Sequence, residues 1–278
     1  MVSIYSLGHG FTIDRVILST NENPLYLDFW PVVAKAWNKM GIRPTLALCA
    51  PADTVIDETL GDVIRFEPIE GIPTGFYAQV IRLLLPVCFP NNTCLISDID
   101  MLPLQKRYFT HSVAPYGRDI CVVFRDQAYP GYIRYPMCYV AARGDIFGEI
   151  FGVTTPDQIP AMVQAWREFG WGWDTDELVM TQAIRSWSRF QSNCVLLGHG
   201  VGPRLDRSYW IYDVQKLRNG FYIDSHMIRP YGDYREQIDF IAQFVQSHEN
   251  LTTNSHQPRK KNNKKNNKKE SKIRPKKR

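Results

Sequence analysis

The sequence predicts an α/β fold, arranged as one domain over residues 1–248 followed by a basic tail over residues 249–278. The first observation is an alternation of apolar, strand-like runs with segments of helical periodicity through residue 104. The second is that 44% of the 278 residues are apolar, which is enough for a sizeable core. Strand–helix–strand connections of this kind indicate a parallel sheet covered by helices on both faces.

The first half of the domain, about residues 14–117, has the clearer pattern. Strands are predicted at 14–21, 44–51, 61–68 and 93–103, and helices at 23–41 and 75–87. Gly41 and Pro86 stand near the helix ends, where these residue types commonly stop a helix. Asn21 and Asp98 lie where strands end. Because polar groups at the carboxyl ends of parallel strands face the ligand crevice, this half is predicted to bind a nucleotide.

The second half, about residues 118–248, has shorter strands and looser connections. Strands are predicted at 119–124 and 137–147, and helices at 155–170, from about 176 to 187, and at 235–248. The remainder before residue 235 is irregular and rich in Arg, Tyr and Gly, so the sequence predicts loops there.

The basic charge belongs to the tail and not to the domain. Residues 259–278 contain twelve of the 33 Lys and Arg and one Glu, and the other 258 residues carry a net charge of −6. A tail of this composition cannot bury a core and is expected to be disordered. Clustered lysines of this kind suit RNA, an anionic lipid surface or a nuclear import receptor as a partner, and a tail that only aids solubility is the alternative.

Compartment is predicted from three further features. The six cysteines form no CxxC pair and are expected to be buried, reduced thiols. No apolar run approaches the ~18 residues of a transmembrane span, and the N-terminus lacks the form of a signal peptide. A cytoplasmic protein without a transmembrane segment is expected.

Asp98 and Asp100 form an Asp-x-Asp pair at the end of a strongly apolar run. On a strand, two carboxylates two residues apart point to the same side. Held that close, both stay ionised only when a cation lies between them. Hard oxygen ligands suit Mg²⁺ or Mn²⁺, which would bridge to a diphosphate. A pair of turn or cap aspartates is the alternative.

The stretch 75–104, GFYAQVIRLLLPVCFPNNTCLISDIDMLPL, resembles glycosyltransferases of the glycogenin and bacterial galactosyltransferase type. In those proteins a helix that carries an Arg and ends in Leu-Pro precedes a strand ending in Asp-x-Asp. The resemblance implies a single GT-A domain, which is a Rossmann-like fold with a mixed central sheet. It also implies metal-dependent transfer of a sugar from a nucleotide-sugar, with UDP as the nucleotide and Mn²⁺ or Mg²⁺ as cofactor, to an acceptor hydroxyl.

The same resemblance implies roles for individual residues. Asp98 would approach the ribose and the metal, and Asp100 would bind the metal. Arg82 would hold the donor or Asp98, with an ion-paired helix residue as the alternative. Thr20 and Asn21, at the end of the first strand, would contact the nucleotide.

The segment 170–177, GWGWDTDE, resembles the acceptor-side loop of inverting GT-A enzymes. Inverting transfer needs a carboxylate that takes the proton of the acceptor hydroxyl, and an indole face can support a sugar ring. The candidate base is Asp176, followed by Glu177 and Asp174, and the platform is Trp171 or Trp173. The alternative is that Asp174 or Thr175 caps the helix that begins near Asp176. This loop favours inversion, and the second half is therefore the expected acceptor half.

A third segment, residues 224–230, resembles the place where GT-A enzymes carry a metal-binding His and a nearby basic residue. His226 would complete the metal site with Asp98 and Asp100, Arg229 would bind the leaving diphosphate, and Asp224 would orient His226. His199, in a His-x-x-Gly-Pro segment like that of the glycogenin type, is the rival ligand.

Two other functions compete with sugar transfer. A sugar-phosphate nucleotidylyltransferase would need a Gly-rich loop after the first strand, and LSTNENP at 18–24 contains no glycine. A non-catalytic carbohydrate- or nucleic-acid-binding protein on a decayed transferase scaffold would use the basic tail. It would be expected to lack a metal carboxylate, and both Asp98 and Asp100 are present.

Overall fold

The computed structural model describes residues 10–246, and strands and helices alternate along that range. The strands are β1 (Arg15–Asn21), β2 (Arg43–Cys49), β3 (Asp62–Phe66), β4 (Thr93–Ile96), β5 (Met101–Pro103), β6 (Cys121–Val123), β7 (Val140–Arg143), β8 (Cys194–Leu196), β9 (Arg204–Leu205) and β10 (Asp224–His226). The α-helices are α1 (Pro24–Leu27), α2 (Trp30–Lys39), α3 (Thr74–Leu84), α4 (Lys106–Val113), α5 (Gly144–Phe151), α6 (Ile159–Arg167), α7 (Thr175–Ser186), α8 (Phe190–Asn193), α9 (Val214–Arg218) and α10 (Arg235–Ala242). Short 3₁₀ turns lie at Glu58–Leu60, Leu85–Cys88, Pro156–Gln158, Gly172–Asp174 and Gly232–Tyr234.

The main sheet has the strand order β3-β2-β1-β4-β7-β6-β8. β1 pairs in parallel with β2 and with β4, and β2 pairs in parallel with β3. β7 is antiparallel to both β4 and β6, while β8 is parallel to β6. The sheet is therefore mixed, and the predicted α/β fold class is confirmed. A smaller sheet has the order β5-β10-β9.

Side chains of β1 alternate between two apolar clusters, one on each face of the main sheet. Val16 and Leu18 belong to the cluster that contains Trp37 of α2, whereas Ile17 belongs to the cluster that contains Val80 of α3. All five are fully buried, as the period-2 geometry of a central strand requires. Full burial of a Val, Leu or Ile side chain contributes about 1.5–3 kcal/mol relative to exposure. The helices on both faces therefore hold β1 rigidly.

The predicted strand 93–103 is wrong in one respect. β4 ends at Ile96, the chain turns at Ser97–Asp100, and β5 then pairs with β10 in the smaller sheet. The Asp-x-Asp pair therefore occupies a turn between two sheets. Apolar residues continue on both sides of the turn, which is why the periodicity of the sequence did not reveal it.

The predicted strand 137–147 is also too long, because β7 ends at Arg143 and α5 begins at Gly144. Asp145 stands in the first turn of α5, where a carboxylate is favourable. A Cβ at Gly144 would lie 2.2 Å from the carbonyl oxygen of Pro86. Glycine therefore allows α5 to begin directly against the turn that follows α3.

Several predictions concern the ends of the chain. The closing helix is observed as α10, which ends at Ala242 and not at residue 248. The basic tail at 249–278 lies outside the described residues. None of the helices between residues 10 and 246 combines the length and apolar character needed to cross a bilayer.

Candidate functional site

A cleft of about 600 Å³ opens at the carboxyl ends of β1 and β4. The chain runs from β1 outward to β2 and β3 and then returns to β4 on the other side of β1. β1 and β4 therefore flank the point where the strand order reverses, which is where open α/β sheets bind ligands.

The cleft brings most of the sequence-predicted residues together. Those that line it are Thr20, Asn21, Arg82, Asp98, Asp100, Trp173, Asp174, Asp176, Glu177, His226 and Arg229. Two predicted candidates lie elsewhere. Trp171 packs against Phe169, with ring centroids 4.7 Å apart, and His199 lies with its Nδ1 3.4 Å from the hydroxyl of Tyr108. Between the two rival histidines, His226 is the one at the cleft.

Arg82 lies on α3 and connects the first strand-end carboxylate to the acidic loop. Its Nη1 donates to Asp98 Oδ1, and its Nη2 donates to Asp176 Oδ2 at 2.6 Å. Gln79, one turn earlier on α3, donates to Asp176 Oδ1 at 3.0 Å. Burial raises the pKa of Asp176, against the opposing effect of Arg82. Both Asp176 oxygens are thus occupied by donors from α3, and this side chain is 5% exposed.

Asp98 has a second partner in the cleft wall. The thiol of Cys138 donates to Asp98 Oδ2, with Sγ 2.7 Å away. Burial is the main cause that raises the pKa of Cys138, and the Asp98 charge adds to it, so the thiol stays protonated. Asp98 is therefore oriented by one donor from α3 and one from the segment before β7.

Asp100 and His226 meet because β5 and β10 are antiparallel neighbours. In their register His226 lies opposite Met101, which places the imidazole beside the preceding Asp100. His226 Nε2 is 3.5 Å from Asp100 Oδ2, and His226 Nδ1 is 3.6 Å from Asp206 Oδ2. Burial acts to lower the pKa of His226, but the hydrogen bond and charge of Asp100 outweigh it and raise that pKa.

Two residues at this end of the cleft have side chains that suit a hard or borderline divalent cation. Asp100 supplies a carboxylate and His226 an imidazole, a donor set that suits Mn²⁺. Across residues 10–246, no group of three or more His, Cys, Asp or Glu side chains is arranged to hold an ion. Cations that act on phosphates commonly use only one or two carboxylates and take other ligands from the substrate and water. Asp100 and His226 are compatible with that kind of site.

The acidic loop 172–177 forms the opposite wall. Glu177 accepts a hydrogen bond from the hydroxyl of Tyr129 at 2.8 Å and from Arg134 Nε at 2.5 Å. Asp174 accepts from Arg134 Nη2 at 2.6 Å and is half exposed. Burial raises the pKa of Glu177, and Tyr129 and Arg134 oppose that rise only in part. Trp173 is 71% exposed beside these carboxylates.

Three arginines at the cleft were not predicted from the sequence: Arg134, Arg204 and Arg207. All three lie in the irregular second half, where no periodic pattern indicates which way a side chain points. The one available signal was the spacing of Arg204 and Arg207 on either side of Asp206. With Arg82 and Arg229, they place five arginines against five carboxylates in the cleft lining.

The predicted role of Asp224 is wrong. It was expected to orient His226, but its buried carboxylate accepts hydrogen bonds from Tyr139 at 2.6 Å and from Arg204 Nε at 3.0 Å. The fully buried Arg125 also lies 2.9 Å from it. The Asp224 side chain therefore holds Arg204 at the edge of the cleft, and Asp206 is the second carboxylate beside His226.

Comparison with known proteins gives matches among solved structures only. No family model and no curated protein matches the chain. The glycosyltransferase GlyE of Streptococcus pneumoniae TIGR4 matches over 67% of this chain and 45% of its own, with 10% identity and a TM-score of 0.42. The galactosyltransferase LgtC, solved in complex with donor and acceptor sugar analogues, matches over 83% of this chain and 96% of its own, with 13% identity and a TM-score of 0.42.

A third match is the bifunctional glycosyltransferase WbbM in its apo form, over 84% of this chain and 50% of its own, with 8% identity and a TM-score of 0.44. This chain spans less than two thirds of the GlyE and WbbM chains that it matches. All three matches are glycosyltransferases.

Proposed function

We propose that this chain is a glycosyltransferase that moves a sugar from a nucleoside diphosphate sugar, with UDP as the nucleotide, to an acceptor hydroxyl. The observation that carries the proposal is the cleft at the strand-order reversal, in which five arginines face five carboxylates. Guanidinium groups bind phosphate oxygens bidentately, and carboxylates accept hydrogen bonds and protons from hydroxyl groups. One cleft therefore holds the groups needed for both a diphosphate and a sugar.

The donor side is proposed to lie along β1 and α3. Thr20 and Asn21 contact the nucleotide, and Asn21 is held by a 3.1 Å hydrogen bond from its Nδ2 to Thr74 at the start of α3. Arg229 binds the diphosphate, with its guanidinium carbon 4.7 Å from the ring centroid of Tyr26. A guanidinium held in this position neutralises the charge that develops on the leaving diphosphate.

A divalent cation, Mn²⁺ or Mg²⁺, is part of the proposal, with Asp100 and His226 as its protein ligands and Asp98 beside them. Such an ion, when bound, supplies Lewis-acid stabilisation of the diphosphate. Arg82 keeps Asp98 in place, and Asp176 keeps Arg82 in place, through the hydrogen bonds described above.

On the acceptor side, we assign the role of base to Glu177 and a positioning role to Asp176. Both carboxylates accept hydrogen bonds, but Glu177 is 16% exposed and its donors Tyr129 and Arg134 lie in a loop. Asp176 is 5% exposed and is bound by two donors of the helix α3. In this mechanism Glu177 takes the proton of the acceptor hydroxyl while the hydroxyl oxygen forms a bond to the anomeric carbon. The bond from that carbon to the phosphate oxygen breaks, and its electron pair leaves with the diphosphate. A single displacement of this kind inverts the anomeric carbon.

The test is a thermal-shift series with UDP-sugars, GDP-sugars and other nucleotide-sugars, with and without Mn²⁺, followed by product analysis. The expected result is stabilisation by a UDP-sugar in the presence of Mn²⁺, then release of UDP and a product whose anomeric configuration by NMR is inverted. Binding without turnover over a panel of hydroxyl acceptors would instead favour a non-catalytic carbohydrate-binding protein. Failure of every nucleotide-sugar to bind would contradict the proposal.

A further inference from the structure

Arg207 binds one carboxylate oxygen of Asp100, the proposed metal ligand. Its Nη1 donates to Asp100 Oδ2 at 2.7 Å. The same oxygen lies 3.5 Å from His226 Nε2 and 3.8 Å from Arg229 Nε. Three positive or protonatable side chains thus surround one oxygen of a buried carboxylate.

The surroundings of Arg207 differ from those of Arg82, the arginine that binds Asp98. Arg82 is buried on a regular helix and is bound by two carboxylates, Asp98 and Asp176. Arg207 is 31% exposed and lies in the irregular segment between β9 and α9. Because Arg207 is partly exposed, rotation of its side chain would move the guanidinium from Asp100 towards solvent. Rotation of the Arg82 side chain would instead break two ion pairs of a buried guanidinium.

Electrostatic repulsion limits which cations can bind Asp100 at the same time. A divalent ion at Asp100 and His226 would lie next to the guanidinium of Arg207, and like charges at one oxygen in a buried setting repel each other strongly. Both can remain in the cleft only when an anion separates them. A diphosphate carries that anionic charge, and a guanidinium fork matches two of its oxygens.

We propose that Arg207 is an exchangeable cation of this site. It neutralises Asp100 while the cleft is empty, leaves that oxygen when a divalent cation and a nucleoside diphosphate bind together, and then pairs with the diphosphate. This inference rests on the proposed function. It implies that the cation binds weakly by itself and much more tightly with the nucleotide, because only the nucleotide supplies a new partner for Arg207.

The experiment is calorimetric titration of Mn²⁺ into the whole chain, with and without UDP, for the wild type, Arg207→Gln and Arg134→Gln. Arg134 is the matched control, because it is also a cleft arginine but contacts Asp174 and Glu177 instead of Asp100. For Arg207→Gln we expect about tenfold tighter binding of Mn²⁺ alone and about tenfold weaker binding of UDP in the presence of Mn²⁺, each equivalent to about 1.4 kcal/mol. Arg134→Gln is expected to leave the affinity for Mn²⁺ alone near that of the wild type.

Equal effects of the two substitutions on the affinity for Mn²⁺ alone would overturn the inference. Arg207→Lys keeps the charge and guards against a folding defect in the glutamine variant; it is expected to bind Mn²⁺ alone as weakly as the wild type. The proposed function is tested separately by the wild type with UDP. UDP binding that is unchanged by EDTA would contradict the metal site, and absence of UDP binding would contradict the donor site. In both cases the titration of Mn²⁺ alone still measures the competition between Mn²⁺ and Arg207 at Asp100.

Discussion

Arg82 and Asp176 form an ion pair at 2.6 Å in which both side chains are at least nine-tenths buried, and the other terminal nitrogen of Arg82 binds Asp98. One guanidinium on α3 thus connects the turn after β4 to the start of α7. Removing one partner from a buried pair leaves an uncompensated charge in a poorly solvated place. Arg82 therefore links the two walls of the cleft through one guanidinium.

Arg82→Gln is therefore expected to lower the free energy of unfolding by about 3–5 kcal/mol. The measurement is equilibrium urea denaturation followed by circular dichroism. Arg43→Gln is the control, because Arg43 is mostly exposed where it pairs with Asp62, and surface pairs contribute about 0–1 kcal/mol. An equal decrease in the free energy of unfolding for the two variants would show that Arg82 contributes no more to stability than a surface arginine.

Glu177→Gln is expected to lower the turnover number by about 10²–10⁴-fold while UDP-sugar binding is retained, since a general base contributes this much. Asp176→Asn, by contrast, is expected to weaken donor binding as well as turnover, because it loosens Arg82 and hence Asp98. Initial rates together with calorimetric binding of UDP separate the two. A Glu177→Gln enzyme with wild-type turnover would eliminate Glu177 as the base.

The pH dependence of turnover follows from the same carboxylate. A base works only when deprotonated, so the rate falls as the pH drops through the pKa of Glu177. Because burial raises that pKa, the acidic limb of the turnover profile is expected above the value of about 4.3 for an ordinary Glu. Rates with a saturating UDP-sugar from pH 4 to pH 8, with enzyme stability checked at each pH, test this. A limb at or below the ordinary value would conflict with the assignment.

His226→Ala is expected to abolish the Mn²⁺-dependent part of UDP binding, since it removes one of the two proposed protein ligands. In the wild type, UDP at about 100 times its dissociation constant should add about 2.7 kcal/mol of stability when Mn²⁺ is present. His199→Ala is the matched control, because His199 lies beside Tyr108 and outside the cleft lining. If loss of His199 had the larger effect in thermal shift, the choice between the histidines would be reversed.

Trp173→Ala is expected to raise the KM for the acceptor about tenfold, which corresponds to about 1.4 kcal/mol, with little change in stability. The indole is mostly exposed at the cleft, so its removal takes away a binding face and leaves the core intact. Trp171→Ala makes the comparison, because Trp171 packs on the apolar cluster under α3 and its loss should lower stability by about 1–3 kcal/mol. Steady-state kinetics and thermal melts would distinguish the two tryptophans.

The sequence was informative where one physical signal dominated. The alternation of strands and helices predicted the parallel half of the sheet, and residues at strand ends such as Asn21 and Asp98 lie at the cleft as expected. It failed at the turn Ser97–Asp100, because apolar residues continue across the change of sheet. It also missed Arg204 and Arg207, since their positions depend on contacts with Asp224 and Asp100 that are distant along the chain.

The turn at Ser97–Asp100 has a mechanical consequence. Asp98 is tied through Arg82 to a helix on the main sheet, whereas Asp100 is tied through His226 to the smaller sheet. The distance between the two carboxylates therefore depends on the position of the smaller sheet relative to the main sheet. A ligand that binds both carboxylates would restrict the motion of one sheet relative to the other. Amide hydrogen exchange in β9 and β10 should then become slower, although the ligand does not contact most of these residues.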